Sequence, residues 1–404
     1  MGQGLVVAIL SILFYLSSLL GGTAPAPPVP QALEDSFFFL GQSGEILGEK
    51  VLVRENPTTE SSPQGTLRQN EEVTILAKQA DWYKIRSNSK LEGWIPAFHL
   101  RLKDIPAAAS ERLDKVVLGY LAPDDLAYES LLENNLSLTG VVPLGWRMDS
   151  YGALNADFAG EDLGKTLYFA GNRQLETYAL IEVNTEPVKL FNNTYLQAQT
   201  AAAIVETVRE WGLKGAQLAV NYEPADYTGL AAFLETLNAK LEAEGYKTIV
   251  ALPLSPAADY KALAGCADYL VVQPKLELKN PGPPAPLDEI KKALRAVLLE
   301  IPAHKVILGI NTAGHNWPRR GEPISLSYGE VMELAAQWGV SIKWDAQSMS
   351  PYFEYGNGGE VWFENRYSLK YKLDLVKEFD LAGLALSDLG REDPEVWNTL
   401  KKLF

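Results

Sequence analysis

The chain has 404 residues, room for two or more domains, and its 47% hydrophobic and 22% charged content is the balance of a folded body. Fifty-one acidic residues against 36 Lys and Arg give a net charge of -15, which argues against nucleic acid or any other polyanionic partner. A single cysteine excludes an internal disulfide, and three widely separated histidines (His99, His304, His315) show no metal-ligand spacing, so no metal or cofactor is expected. Cys266 lies in the apolar "LAGCADYLVV" and reads as buried filler.

In chain order, the first element is the apolar run "LVVAILSILFYLSSLL", Leu5 to Leu20, followed by "GGTAPAPPVP". It has the length of a secretory core and is slightly short for a full membrane span. No Lys or Arg precedes Lys50, and the small-residue sites "GTA" and "APA" are each followed by proline. Residues 1–22 are therefore expected to direct export either as a cleaved signal peptide or as a membrane anchor. Residues 23–47 read as a linker that begins rich in Pro and Ala.

Residues 48–103 carry a compact β pattern: "KVLVRENP", "GTLRQNEEVTILA", "DWYKIRS" and "EGWIPAFHLR". Short alternating strands punctuated by Asn, Pro and Gly predict a small all-β barrel. The pieces "VLVRENPTTESSPQGTL", "VTILAKQADWYKI" and "GWIPAFHL" resemble a bacterial SH3-type domain. That resemblance implies binding to peptidoglycan peptide stems, with Trp82, Tyr83 and Trp94 as aromatic candidates; alternatively, each fills the core of a very small domain.

After "KDIPAAASERLD" the pattern changes to alternating strands and helices, over residues 114–404. Eight apolar runs occur at 116–123, 139–146, 176–183, 215–222, 247–254, 267–274, 304–311 and 381–388. Most are separated by helical patterns such as "AAAIVETVREWG" and "LAAFLETLNAKLEAEG", which predicts an α/β chain folded as a (β/α)8 TIM barrel. The long gap before the last run contains "YFEYGNGGEVWF", a hairpin signal with Gly in its turn, so a small α+β insertion of about residues 318–375 is expected between strands seven and eight. Chemistry in such barrels belongs at the C-terminal strand ends. The residues there are Tyr120 and Asp124, Trp146 and Arg147, Glu182 and Asn184, Asn221 and Glu223, Gln273 and Lys275, Asn311, and Ser387 with Asp388.

From about Val116 to Leu400 the chain resembles glycoside hydrolase family 18, in the subgroup of spore-cortex and spore-germination glycosidases. The stretches that carry the likeness are "KVILGINTAGHNW", "ISLSYGEVMELAAQWGVSIKWD" and "SPYFEYGNGGEVWFENRYSLKYKLDLVKEFDLAGLALSDLGREDPEVW". The resemblance implies a motif D-G-x-D-x-D-x-E at the end of strand four, whose Glu protonates the departing oxygen while the preceding Asp orients the substrate's own N-acetyl group. Here the motif falls on "KGAQLAVN": Lys214 stands at the first Asp, Gln217 at the second, Ala219 at the third and Asn221 at the Glu. The family's strand-six Met-x-Tyr-Asp is replaced by a stretch offering Gln273 and Lys275, and its strand-eight Trp by Ser387. Of Tyr-Gly-Tyr-Asp-Trp after strand seven, "AGHNW" keeps Gly314 and Trp317.

A carboxamide has no proton to give near neutral pH, and general acid catalysis is worth about 10²–10⁴ in rate. The expected protein is thus a pseudo-glycosidase of the cell envelope or spore that holds N-acetylglucosamine-containing polymer, peptidoglycan-like or chitin-like. Tyr120, Trp146, Tyr178 and Trp317 would offer stacking faces, and Asn184, Gln217, Asn221, Gln273 and Ser387 would hydrogen-bond the sugar. Lys275 is either a solvated rim residue or a partner for a carboxylate on a peptide stem. Two alternatives stay open: a weak hydrolase using a relocated acid, Glu223 or Glu182, and a non-catalytic protein scaffold.

Overall fold

The computed structural model describes residues 37–103 and 114–403, apart from 157, 225–226, 256–257, 276–277 and 357. The expected leader and the first part of the linker lie outside the described residues. Among the described residues no helix is long and apolar enough to cross a membrane. The chain divides into two compact units, one of which takes in 37–103 together with 158–176.

That unit is built on seven antiparallel strands: β1 (Ser43–Ile46), β2 (Lys50–Arg54), β3 (Pro63–Arg68), β4 (Glu72–Gln79), β5 (Trp82–Ser87), β6 (Glu92–Pro96) and β7 (Leu100–Leu102). Their order is β3-β2-β6-β5-β4-β1-β7. Strand periodicity sends Val51, Val53, Ile75, Ile85 and Ile95 into one apolar core. Gly93 is required where β6 meets β2, because its φ is 151° and an added Cβ would sit 2.6 Å from the Arg54 carbonyl. The helix Gly160–Asn172 belongs to the same unit: Asn172 Nδ2 donates to the carbonyls of Phe38 and Leu40 at 2.9 and 2.7 Å.

In the other unit, the strands are β8 (Val116–Leu121), β9 (Gly140–Pro143), β10 (Trp146–Met148), β11 (Leu154–Ala156), β12 (Glu176–Val183), β13 (Gly215–Val220), β14 (Lys247–Pro253), β15 (Tyr269–Gln273) and β16 (Val306–Asn311). There follow β17 (Gly314–Trp317), β18 (Ile324–Leu326), β19 (Lys343–Asp345), β20 (Ser350–Tyr355), β21 (Gly359–Trp362) and β22 (Gly383–Ser387). Eight of them pair in parallel in the order β12-β13-β14-β15-β16-β22-β8-β9, and β9 pairs back with β12 to close the barrel. This is the TIM barrel that the eight apolar runs predict. Inward positions of successive strands fill its interior with Leu118, Val142, Leu180, Ile249, Val271 and Ile307. Between β16 and β22 a five-stranded sheet, ordered β18-β17-β21-β20-β19, packs Phe353, Val361 and Phe363 against the helix Tyr328–Trp338. The "YFEYGNGGEVWF" hairpin is β20–β21.

Candidate functional site

The strand period of two decides which side chains reach the barrel mouth. Across β12, β13 and β14 the inward residues form two levels: Leu180, Gln217 and Ile249 at the lower, Glu182, Ala219 and Ala251 at the upper. Asn221 follows one step beyond β13, where the parity of Gln217 and Ala219 continues. Above these levels opens a cavity of about 320 Å³. Tyr120, Glu182, Gln217, Ala219 and Asn221 line one part of its wall, and Gln273, Lys275, Ser387 and Asp388 another. It therefore lies at the C-terminal strand ends, where parallel barrels place their ligands.

The polar groups of this wall are mostly neutral and mutually bonded. Gln217 is 0% exposed; its Nε2 donates to the Tyr120 hydroxyl, while its Oε1 has no partner among the described residues. Burial pushes the Tyr120 phenol up to about 12, with the Gln217 bond acting in the opposite direction, so the hydroxyl keeps its proton. Asn221 Nδ2 donates to Asn184 Oδ1 at 2.8 Å. Two carboxylates also line the cavity. Glu182 lies 3.5 Å from Arg147 Nε. Asp388 follows β22 in a left-handed conformation (φ 56°), and the Thr312 hydroxyl donates to the carbonyls of Ser387 and Asp388 just behind it. The Ser387 hydroxyl donates at 3.3 Å to the Ile310 carbonyl, and so is turned toward the strand next to it.

This arrangement can accept and donate hydrogen bonds to a neutral polar ligand. At the positions of Gln217, Ala219 and Asn221 it offers no group that ionises near neutral pH. Among the described residues no group of three or more His, Cys, Asp and Glu is placed to hold a metal ion.

Residues 188–392, just over half of the chain, match the model for glycosyl hydrolases family 18. The chain belongs to that family. Residues 50–100 match the bacterial SH3 domain, in agreement with the resemblance read from β2 to β6. The cortical fragment-lytic enzyme of Bacillus subtilis is 27% identical over 53% of this chain and 57% of its own length. An uncharacterized glycosylase of the same organism, YvbX, is 22% identical over 71% of this chain and 91% of its own. Among solved structures, the spore cortex-lytic enzyme SleL of Bacillus megaterium superimposes with a TM-score of 0.66 at 24% identity, covering 76% of this chain and 77% of that one. A chitinase from Chromobacterium violaceum gives 0.66 at 25% identity, covering 72% and 98%.

In this family 18 barrel, the residues singled out in the sequence separate into two groups. Tyr120, Glu182, Gln217, Ala219, Asn221, Gln273, Lys275 and Ser387 all line the cavity, and Asn184 is joined to it through Asn221. Lys214 does not: it precedes β13 at the N-terminal end of the strand, exposed and away from the mouth. Trp146 and Tyr178 are 2% and 1% exposed and outside the cavity lining, so neither offers it a stacking face. Tyr178 lies two inward steps below Glu182, inside the filled barrel. Trp317 is also buried, in the insertion sheet, with its Nε1 donating to the Leu278 carbonyl at 2.9 Å. Glu223 accepts from the Ser255 hydroxyl at 2.7 Å and does not line the cavity.

Sequence reasoning placed Asp388 at a strand end without giving it a role, and the cavity wall includes it. Its position directly after the eighth apolar run was the available signal. The Tyr120–Gln217 and Asn184–Asn221 bonds join residues 97 and 37 positions apart, and no local pattern announces them. In the SH3-type unit the period of two separates the three aromatics. Tyr83 is a core residue, whereas Trp82 and Trp94 are half-buried on the opposite face, with Lys84 paired across to Trp94.

Proposed function

We propose that this family 18 chain is an exported, envelope- or spore-associated protein that holds N-acetylglucosamine-containing polymer without cutting it. The observation that carries the reading is Asn221: it stands where the family resemblance puts the motif acid, and it lines the cavity with its amide donating to Asn184. With Ala219 and Gln217 at the two preceding motif positions, neither a proton donor nor a carboxylate to orient an acetamido nucleophile is present there. Neutral amides suit neutral sugars, since they cost less to desolvate than charges do. The relatives named for cortex lysis and chitin hydrolysis support a glycan of that class. The SH3-type unit adds a second contact with the wall, through Trp82 and Trp94 against peptide stems. Membrane anchoring by residues 5–20 would keep the protein at that surface.

The test is release of reducing ends from cortex peptidoglycan and chitin oligomers by the unaltered chain, beside co-sedimentation with the same polymers. Retention on the polymer without release is expected, whereas the double substitution Ala219→Asp with Asn221→Glu should raise release above the blank. A second reading is favoured by one observation: Glu182 lines the cavity in register with Ala219, which supports Glu182 ahead of Glu223 as a relocated acid. Sustained turnover by the unaltered chain that disappears in Glu182→Gln would establish that reading and end the first.

A further inference from the structure

We infer that the outer face of the SH3-type sheet reads free carboxylates on peptide stems of the wall, through a row in which Arg54 and Lys84 flank Trp94. The starting observation is one of register: Trp94 on β6 pairs with Arg54 on β2 to one side and with Lys84 on β5 to the other. Directly paired residues share a face, and the alternation that buries Val53, Ile85 and Ile95 turns these three outward. Trp82, two residues before Lys84, lies on the same face as the diagonal neighbour of Trp94. Toward the other edge of the sheet this face is already in use: Arg173, just after the helix Gly160–Asn172, donates to Ser43 Oγ on β1 at 3.1 Å and to Thr74 Oγ1 on β4 at 2.6 Å. On β5, β6 and β2 the outward Lys84, Trp94 and Arg54 stay half-buried.

Charge says what such a row fits. Residues 37–103 hold nine Lys and Arg against eight Asp and Glu, in a chain whose net charge is -15, so the acidity of the chain lies elsewhere. One step along the strands Arg86 is neutralised by Glu92, whereas Arg54 and Lys84 form no ion pair among the described residues. Arg54 is positioned without being neutralised: its Nη1 donates to the Ser61 carbonyl at 2.6 Å, which leaves other guanidinium N–H groups for a ligand. Neighbouring strands lie about 4.8 Å apart, so the two cations start from backbones about 10 Å apart with the indole between them. An extended peptide rises about 3.3 Å per residue, and two carboxylates about three residues apart would meet both cations while the segment between them lies on the indole. A neutral sugar would cover the indole and leave both cations unanswered. Peptide stems of the wall carry carboxylates along an extended backbone, and amidation removes that charge.

This inference rests on the proposed contact between the SH3-type unit and peptide stems, and its test separates the two. Calorimetric titration of the full chain would compare a wall stem tetrapeptide whose carboxylates are free with the same peptide fully amidated, in the unaltered protein and in Lys84→Gln and Arg54→Gln. Neither peptide carries a sugar, so the titration is independent of glycan in the barrel. At low salt the free peptide is expected to bind at least about tenfold more tightly than the amide, an advantage that shrinks as salt rises. Either substitution should bring the two peptides within about threefold. Should Arg54→Gln fail to fold, Lys84→Gln and the amide comparison decide the matter alone. Polyglycerol phosphate serves as a further arm, and binding as tight as that of the free peptide would reassign the face to wall phosphates and overturn the inference. Equal binding of the two peptides, or a preference that survives Lys84→Gln, overturns it as well and leaves the contact with stems standing. Binding of neither peptide overturns both.

Discussion

Two regions of the barrel unit treat charge in opposite ways. Just after β21, Lys372 and Glu364 are 1% and 0% exposed and meet as an ion pair at 2.5 Å, and the Ser368 hydroxyl donates to the second Glu364 oxygen at 2.6 Å. Nearby, Asp393 is fully buried and receives Arg366 Nε and Nη2 at 3.0 and 3.1 Å. At the ends of β12 and β13, by contrast, the more open mouth carries the amides Asn184 and Asn221. Buried charges survive in this fold wherever partners and hydrogen bonds satisfy them. The neutral amides at these two strand ends are thus no consequence of a fold that rejects carboxylates, and Glu182 and Asp388 line the same cavity.

The largest effect that would test this contrast is at the ion pair. Lys372→Met leaves Glu364 buried and unpaired and is expected to cost about 3–5 kcal/mol. Lys372→Met combined with Glu364→Leu should recover most of that loss, read as denaturant midpoints on the two variants. If the single change is harmless, the pair is not as desolvated as its exposure indicates, and the comparison fails.

A smaller effect is expected at the helix Tyr328–Trp338, where Ser327 and Glu330 cap each other: the Ser327 side chain accepts from the Glu330 N–H, and Glu330 accepts from the Ser327 backbone at 2.7 Å. These bonds hold the Glu330 carboxyl below its ordinary value. A carboxyl lowered in the folded state binds fewer protons there than when unfolded, so its contribution is present above the unfolded pKa and is lost as pH falls through the folded one. Ser327→Ala should cost about 1 kcal/mol at neutral pH. The part of that cost carried by the Ser327 hydroxyl's 2.8 Å bond to the Glu330 carboxylate should fade below about pH 4, while the backbone bond to Glu330 stays in both chains. A difference in thermal midpoint that persists undiminished at acid pH would show that the bonds to Glu330 are not its source.

The smallest expected effect is the most informative about the mouth. Asn221→Asp introduces a charge of nearly the same shape at an exposed position and should change stability by no more than about 0.5 kcal/mol. A loss of several times that in chemical denaturation would mean that neutrality there is demanded by folding, and the contrast with Glu364 would have to be read the other way.

How much of this was legible in the sequence depended on whether a feature is periodic. The eight parallel strands and the β20–β21 hairpin follow from apolar runs and turn residues, and β5 through β6 announce the small barrel by alternation. Parity also put Gln217, Ala219 and Asn221 on one face. Depth was not legible. Trp146, Tyr178 and Trp317 look alike in sequence to exposed stacking residues, but their burial depends on neighbours brought in from distant strands. The fates of the two acids show the same limit: Glu182 and Glu223 both stand at or near strand ends in the sequence, yet Glu182 lines the cavity and the Ser255 hydroxyl, 32 residues away, takes up Glu223.

Asp388 carries one more consequence. Its left-handed backbone is a well that glycine and asparagine also occupy at little cost, and the Thr312 hydroxyl fastens the carbonyls there whatever the side chain is. An acid at this point of the wall is accordingly free to drift away over generations without harm to folding. A survey of kindred sequences in which it nevertheless persists would be measuring selection by the bound molecule, with the scaffold's own demands already subtracted.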